Sequence, residues 1–286
     1  MVKIEIRCPE CSKIGKLEVE ENIVKQSKRG IAAINISEDL ICKHSFIAYI
    51  DKNLNVRDCF ITDFKVELPQ IELEQVVEVK IPNKETIDVY LLTLNLTANF
   101  LTNILRACFF KKKILAINDF SLLNTHILNF FKFIFQNTFD IDISLGQGTN
   151  YKKEKKKFKG YIVIDKEKII NDKEKILTPK SNKIERSIVQ KFFEENEPNT
   201  SLLILKNEIL KAYKLSTDVK NYLNDYDKNI NLTPKLIINF LTEKYNQKIN
   251  DLYLRFLIKI VQNYYDVDFS KIFDFDQILK WSWFLK

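Results

Sequence analysis

The sequence predicts a mixed α+β fold in three parts: a β unit over residues 1–68, an α/β layer over residues 69–180, and a helical unit over residues 181–286. Three observations carry this. Apolar residues alternate with period two through "KIEIRC" and "GKLEVE", and "HSFIAYID" with "VRDCFITDFKVEL" reads as a second hairpin. From residue 94, strand-like apolar runs alternate with segments of helical period. Beyond residue 181 only the helical period remains. Hydrophobic residues make up 45% of the 286, enough for a sizeable core, and five glycines with six prolines leave little room for long irregular loops.

The first two strands flank "CPEC", which reads as the tip of a β-hairpin. "IVKQSKRGIAAINI" reads as a short helix ending near Gly30 and then a strand. "HSFIAYID", the turn "KNLN" and "VRDCFITDFKVEL" form a second hairpin, closed by Pro69. Residues 69–90 read as a connector holding one or two strands.

In the α/β layer, "LTANFLTNILRACFF" is a helix with Leu96, Phe100, Leu101, Ile104 and Cys108 on one side. "KKILAIND" is a buried strand, "LLNTHILNFFKFIFQNTF" an apolar helix, "DIDISL" a strand, "GQGTNYKKEKKKFKG" a basic loop and "YIVID" a further strand. This alternation points to a partly parallel sheet. The helical unit opens with "SNKIERSIVQKFF", where Asn182 and Glu185 have capping-box spacing. "SLLILKNEILKAYKL" follows Pro198, and "STDVKNYLNDY" starts on a serine N-cap. "TPKLIINFLTEKY" has Thr233 as N-cap and Pro234 at the first helical position, and "NDLYLRFLIKIVQNYY" completes the set. The aromatic tail with Trp281, Trp283 and Phe284 is expected to pack back on these helices, with partner contact as the second reading.

Cys8 and Cys11 form a Cys-x-x-Cys turn, which presents two thiolates from one tight loop. A structural zinc ion needs a second pair, and Cys42 with His44 is the candidate, both facing one side if they lie in a strand. Cys59 is the alternative fourth ligand, although its place in "VRDCF" also suits a small core hydrophobe. Five cysteines in a chain of this size do not suggest a disulfide framework. The β unit is therefore expected to be zinc-ribbon-like, with zinc as its cofactor.

The run "CPECSKIGKLEVEENIV…INISEDLICKHSFIAYIDKNLNVRDCFITDFKVELP" resembles the opening of a group of uncharacterised archaeal proteins. They share a CxxC…CxH knuckle followed by an "FxAYIDKNLxVRDCF" hairpin. The resemblance covers about the first quarter of the chain. It implies an archaeal source and a shared metal-binding module, and no activity.

The remaining constellations are weaker. Asn118, Asp119, Gly146 and Gly148 fall at expected strand ends, where a doubly wound sheet collects ligands, but "GQGTNY" has no phosphate-cradling fingerprint. His126 reads as a helix-face residue, and Asp140 and Asp142 as solvated strand-end acids. With His44 assigned to the knuckle, no triad or metalloprotease motif is present, which speaks against an enzyme.

The net charge of +7 is local. Residues 151–180 carry eleven lysines against five carboxylates, whereas residues 1–68 balance at zero. Lys152, Lys153, Lys155, Lys156 and Lys157, interleaved with Tyr151 and Phe158, are candidate contacts to nucleic acid. A solvated loop guarding a sheet edge explains the same run. No signal peptide or membrane span is visible, so a cytoplasmic protein is expected. The leading reading is a non-enzymatic zinc-binding adaptor with a protein partner. Nucleic-acid binding comes second, and an enzyme or nucleotide-binding α/β domain a distant third.

Overall fold

The computed structural model describes the chain except residues 28–29, 63–65, 72–79, 119–122, 167, 179–181, 226–231 and 269–286. The architecture is mixed α+β. Strands β1 (Val2–Arg7) and β2 (Ile14–Val19) form the expected antiparallel hairpin, with Arg7 opposite Ile14 at its tip. The short helix α1 (Glu21–Lys25) leads through Gly30, at φ 75°, into β3 (Ile31–Ile36). Strands β4 (Phe46–Asp51) and β5 (Val56–Ile61) complete a three-stranded antiparallel sheet in the order β3-β4-β5.

Every residue of β4 is buried, because the pleat sends alternate side chains into two cores. Phe46, Ala48 and Ile50 meet Ile4, Ile6 and Val19 of the first hairpin. Ile47 and Tyr49, with Ile31 and Phe60, join the main core formed with the helices. That main core draws residues from all three parts of the chain.

Helix α2 (Val89–Asn95) follows the connector, and the Asp88 carboxylate accepts the Leu91 N–H at its start. The strands expected between residues 69 and 90 fall partly on residues outside the described set, and the described ones form none. Helix α3 (Ala98–Phe109) is capped by Thr97 and also by Asp58 of β5, whose Oδ2 accepts the Ala98 N–H at 2.9 Å. A buried carboxylate thus ties the sheet to the helix.

A second sheet has the order β7-β6-β8-β9. It comprises β6 (Lys113–Ile117), β7 (Asp142–Gly146), β8 (Ile162–Asp165) and β9 (Lys168–Asn171). The first three are parallel and β9 is an antiparallel edge. Helix α4 (Asn124–Ile134) joins β6 to β7 and contributes to the main core. Helix α5 (Gly148–Glu154) joins β7 to β8, where the sequence reading has a loop. Its Tyr151, with Phe158 and Tyr161, packs on Leu115, Ile117 and Val163 of the opposite face. Apolar anchoring of Tyr151 gives the lysine run a buried stripe that its composition hides. Strand β9 was not expected. Its four residues hang on a turn at Lys166, which has φ 52°.

Helices α6 (Lys183–Glu194), α7 (Pro198–Asn224), α8 (Pro234–Tyr245) and α9 (Asp251–Asn263) form the helical part. The expected break at Ser216 does not occur; α7 runs for 27 residues. Ser216 Oγ and Thr217 Oγ1 both donate to the Tyr213 carbonyl, so the hydroxyls are satisfied inside the helix instead of capping a new one. The Asn182–Glu185 capping box is also absent. Glu185 instead forms a buried ion pair with Arg106 of α3 at 2.7 Å. The aromatic tail with Trp281, Trp283 and Phe284 lies outside the described residues.

The continuous α7 has a direct test. Thr217→Pro would be tolerated at the first position of a separate helix, but inside α7 it should cost about 3 kcal/mol or more. Chemical denaturation measures the loss, and an unchanged midpoint would restore the two-helix reading.

Candidate metal centre

The tip of the first hairpin is a tight loop in which Cys8 N–H donates to Lys13 O and Ser12 N–H to Cys8 O. Ser12 takes the left-handed conformation at φ 61°, which turns the chain back after Cys11. The second loop is folded by Asp39, at φ 69°, whose N–H donates to Cys42 O at 2.7 Å. Gly15 lets the two loops meet. A Cβ there would stand 2.7 Å from Ile41 Cγ1, one residue before Cys42.

The loops bring Cys8, Cys11, Cys42 and His44 together, with their ligand atoms all within 4.8 Å of one another. His44 Nδ1 is 3.8 Å from Cys8 Sγ and 3.6 Å from Cys42 Sγ. Bonds of about 2.3 Å to sulfur and about 2.1 Å to nitrogen in a tetrahedron require sulfur–nitrogen separations of about 3.6 Å. The site therefore fits a metal ion in a four-coordinate sphere. Cys42 and His44 lie in the loop before β4, not in a strand, so the pair enters the cluster through loop geometry and not through a shared strand face. Cys59 is not in the cluster. It stands in β5 opposite Ala48 and packs against the core beneath the knuckle.

The thiols differ in acidity. A hydrogen bond from the Lys13 backbone, helped by Cys42, His44 and Cys8, lowers exposed Cys11 to about 7. Partial burial pushes Cys42 up to about 11. Cys108, enclosed in the main core, is raised by burial alone and is chemically silent.

The other candidates fare differently. His126 accepts the Asp88 N–H at Nδ1, 3.2 Å away, and so serves the start of α2. Asp140 pairs with the Tyr264 hydroxyl, and Asp142 lies 3.9 Å from Lys113. The five lysines of the basic segment are exposed, but Tyr151 is buried and Phe158 half-buried, spent on packing. Asn118 borders an open cleft of about 760 Å³, its N–H donating to Gly146 O at 2.8 Å. Gly146 and Gly148 are not in its lining, and Asp119 lies outside the described residues.

Sequence reasoning missed a second depression, of about 530 Å³, beside the knuckle. Arg7, Arg57 and Arg186, three of the chain's six arginines, converge on it from β1, β5 and α6. Their sequence separations are 50 and 129 residues, so no local pattern announces them. Cys8 and Pro9 form part of its wall.

No family model, curated protein or solved structure matches the chain. Among the described residues no helix is long and apolar enough to cross a membrane.

Two outcomes check the site. His44→Ala should lower bound metal well below the wild-type content, whereas Cys59→Ala should leave it unchanged; elemental analysis that gives the opposite pattern reverses the assignment. In the metal-free protein, iodoacetamide should label Cys11 first. The thiolate form grows as pH rises through its pKa, so the rate should rise through about pH 7. Cys108 should stay unlabelled until the protein unfolds, and mass spectrometry of the labelled peptides separates the two.

Proposed function

We propose that the chain is a non-enzymatic zinc-binding adaptor in which a structural zinc ion at Cys8, Cys11, Cys42 and His44 shapes one wall of a protein-docking groove. Zinc is favoured by the ligand set, since three thiolates and an imidazole suit a borderline-soft, redox-inert cation. Four protein ligands leave no position for water or substrate, so the ion would contribute to folding and not to chemistry.

The observation that carries the docking half is the position of the knuckle. Cys8 and Pro9 line the same groove as β5 residues, Asn99 and Asn103 of α3, and Asn182 and Arg186 of α6. Arg7, Arg57 and Arg186 line it with Glu10 and Asp58; Asp58 is engaged by Ala98 N–H and Asn99 Nδ2, Arg57 is held by Asp51 and Leu94 O, and Arg7 is the exposed guanidinium of β1. This balance favours carboxylates on a partner, which guanidinium groups bind in bidentate fashion. The amides suit a peptide backbone, and among the described residues no aromatic ring in the lining offers a surface for stacking a base.

Nucleic acid is the second candidate partner, through Lys152, Lys153, Lys155, Lys156 and Lys157. Their exposure supports phosphate contacts, while the packing of Tyr151 and Phe158 removes the stacking platform that single-strand binding uses.

The test is affinity capture from an extract of the source cells with wild type, Cys8→Ser and Arg7→Glu as baits. Arg7 is exposed, so its variant should keep metal and fold. A protein retained by wild type and lost by both variants is the expected result. Equal recovery on all three baits, or recovery of nucleic acid alone, would overturn the adaptor reading.

A further inference from the structure

We infer that the cleft at the carboxyl ends of β6 and β8 binds a small nucleoside phosphate. The strand order β7-β6-β8 reverses at this point. The chain leaves β6 through α4 to reach β7 on one side, then returns through α5 to place β8 on the other. The helices lie on opposite faces of the sheet, α4 in the main core and α5 over Leu115, Ile117 and Val163. Connections that part in this way leave a crevice between the two strand ends, where open α/β sheets collect ligands. At about 760 Å³ the cleft lies within the range of roughly 300–1,000 Å³ usual for small-molecule sites. Its far wall is β5 of the other sheet.

The lining divides by chemistry. Tyr49 and Phe193, with ring centroids 5.0 Å apart, and Phe100 are buried in the main core and form the apolar floor of the cleft. Ile117 pairs with Asp165 in the parallel register, so Asn118 lies one residue beyond that pair, and both Asn118 and Asp165 border the cleft. Asn118 is oriented by its Nδ2 donating to Asn124 Oδ1 at 2.9 Å. Asp165 brings a carboxylate to the border of the cleft, the group type that accepts hydrogen bonds from a sugar diol at strand ends of open α/β sheets.

Three cations, Arg57, Lys166 and Lys168, also border the cleft. Arg57 is fixed by donation to Leu94 O at 3.1 Å and by Asp51 at 3.6 Å. Against them stand Asp165, Asp58, which caps α3, and Asp51 beside Arg57, so the exposed Lys166 and Lys168 carry the attraction for an anion. An anionic group beside an apolar ring and a diol is the chemistry of a nucleotide. Without a glycine-rich cradle, the phosphate would be held by side-chain cations and not by backbone amides. One phosphate, or two, is the expected load. This site does not rest on the adaptor reading, although Val56, Arg57 and Asp58 line both depressions.

The test uses the full-length, zinc-loaded chain and calorimetric titration of AMP, ADP, GMP and GDP, with adenosine, guanosine and inorganic phosphate as separate probes. At least one nucleotide should bind with a dissociation constant of about 1–100 μM. Its nucleoside and phosphate alone should bind at least about tenfold more weakly. Replacing both exposed lysines, Lys166→Ala with Lys168→Ala, should weaken the nucleotide about tenfold and leave the nucleoside unchanged. Asp165→Asn should weaken both. Absence of binding by every nucleotide at about 1 mM, or nucleotide binding unchanged in the double-lysine variant, would overturn the assignment. Neither result bears on capture of a protein by the groove.

Discussion

The constraint on which the rest of the structure depends is that β4 has two apolar faces. A strand in an exposed antiparallel sheet shows water on one side and needs only one core. In β4 both rows are hydrophobic: Phe46, Ala48 and Ile50 on one face, Ile47 and Tyr49 on the other. Each must be covered, and the chain has different means for each side. The helices cover one face with a large core. The other receives only a two-stranded hairpin and one short helix, a thin layer that buries few side chains.

That asymmetry gives the metal site its physical purpose. A two-stranded hairpin is marginal in water by itself. Its tip and the loop before β4 are 30 residues apart in sequence, and closing such a loop costs conformational entropy. Four ligands drawn equally from both loops would tie them at one point. Gly15 removes the side chain that would otherwise hold Ile41, and the loop carrying Cys42, away from the hairpin. The ligand atoms converge because a glycine, two left-handed turns and the strand register agree, which is the local consistency expected of a specified site.

What could be read from the sequence follows the range of the interactions. Both hairpins and the four clustered Cys and His residues were legible because turn chemistry and Cys/His spacing are local signals. The parallel strands β6, β7 and β8 were legible for the same reason, as short apolar runs separated by helix periods. The choice of His44 over Cys59 depended on two loops meeting in space, so spacing left it open. Helix α5 was hidden because its lysines dominate the composition while only Tyr151 is buried. The unbroken α7 shows the reverse error. Ser216 looks like a cap in isolation, but Leu215 and Val219 on either side are buried, and that packing carries the helix through.

The groove and the cleft were least legible, since their charges come from residues with no sequence relation. They meet at Val56, Arg57 and Asp58, which line both. At this junction β5 does two tasks with adjacent residues. Asp58 turns inward, caps α3 and so fixes the strand against the helical body. Arg57 turns outward, with its guanidinium held by the carbonyl at the end of α2 and by Asp51 at the end of β4. A positive charge positioned by two anchors loses less entropy on meeting an anion than a free side chain would. The same two anchors tie its position to both sheets' surroundings, because α2 belongs to the main core and Asp51 to the β4–β5 turn. An anion drawn to Arg57 from either depression therefore acts on a group that the other depression shares. Simultaneous occupation of both by anions would place two negative ligands on one cation, which opposes their binding together unless Arg7 and Arg186 on one side, and Lys166 and Lys168 on the other, supply the balance.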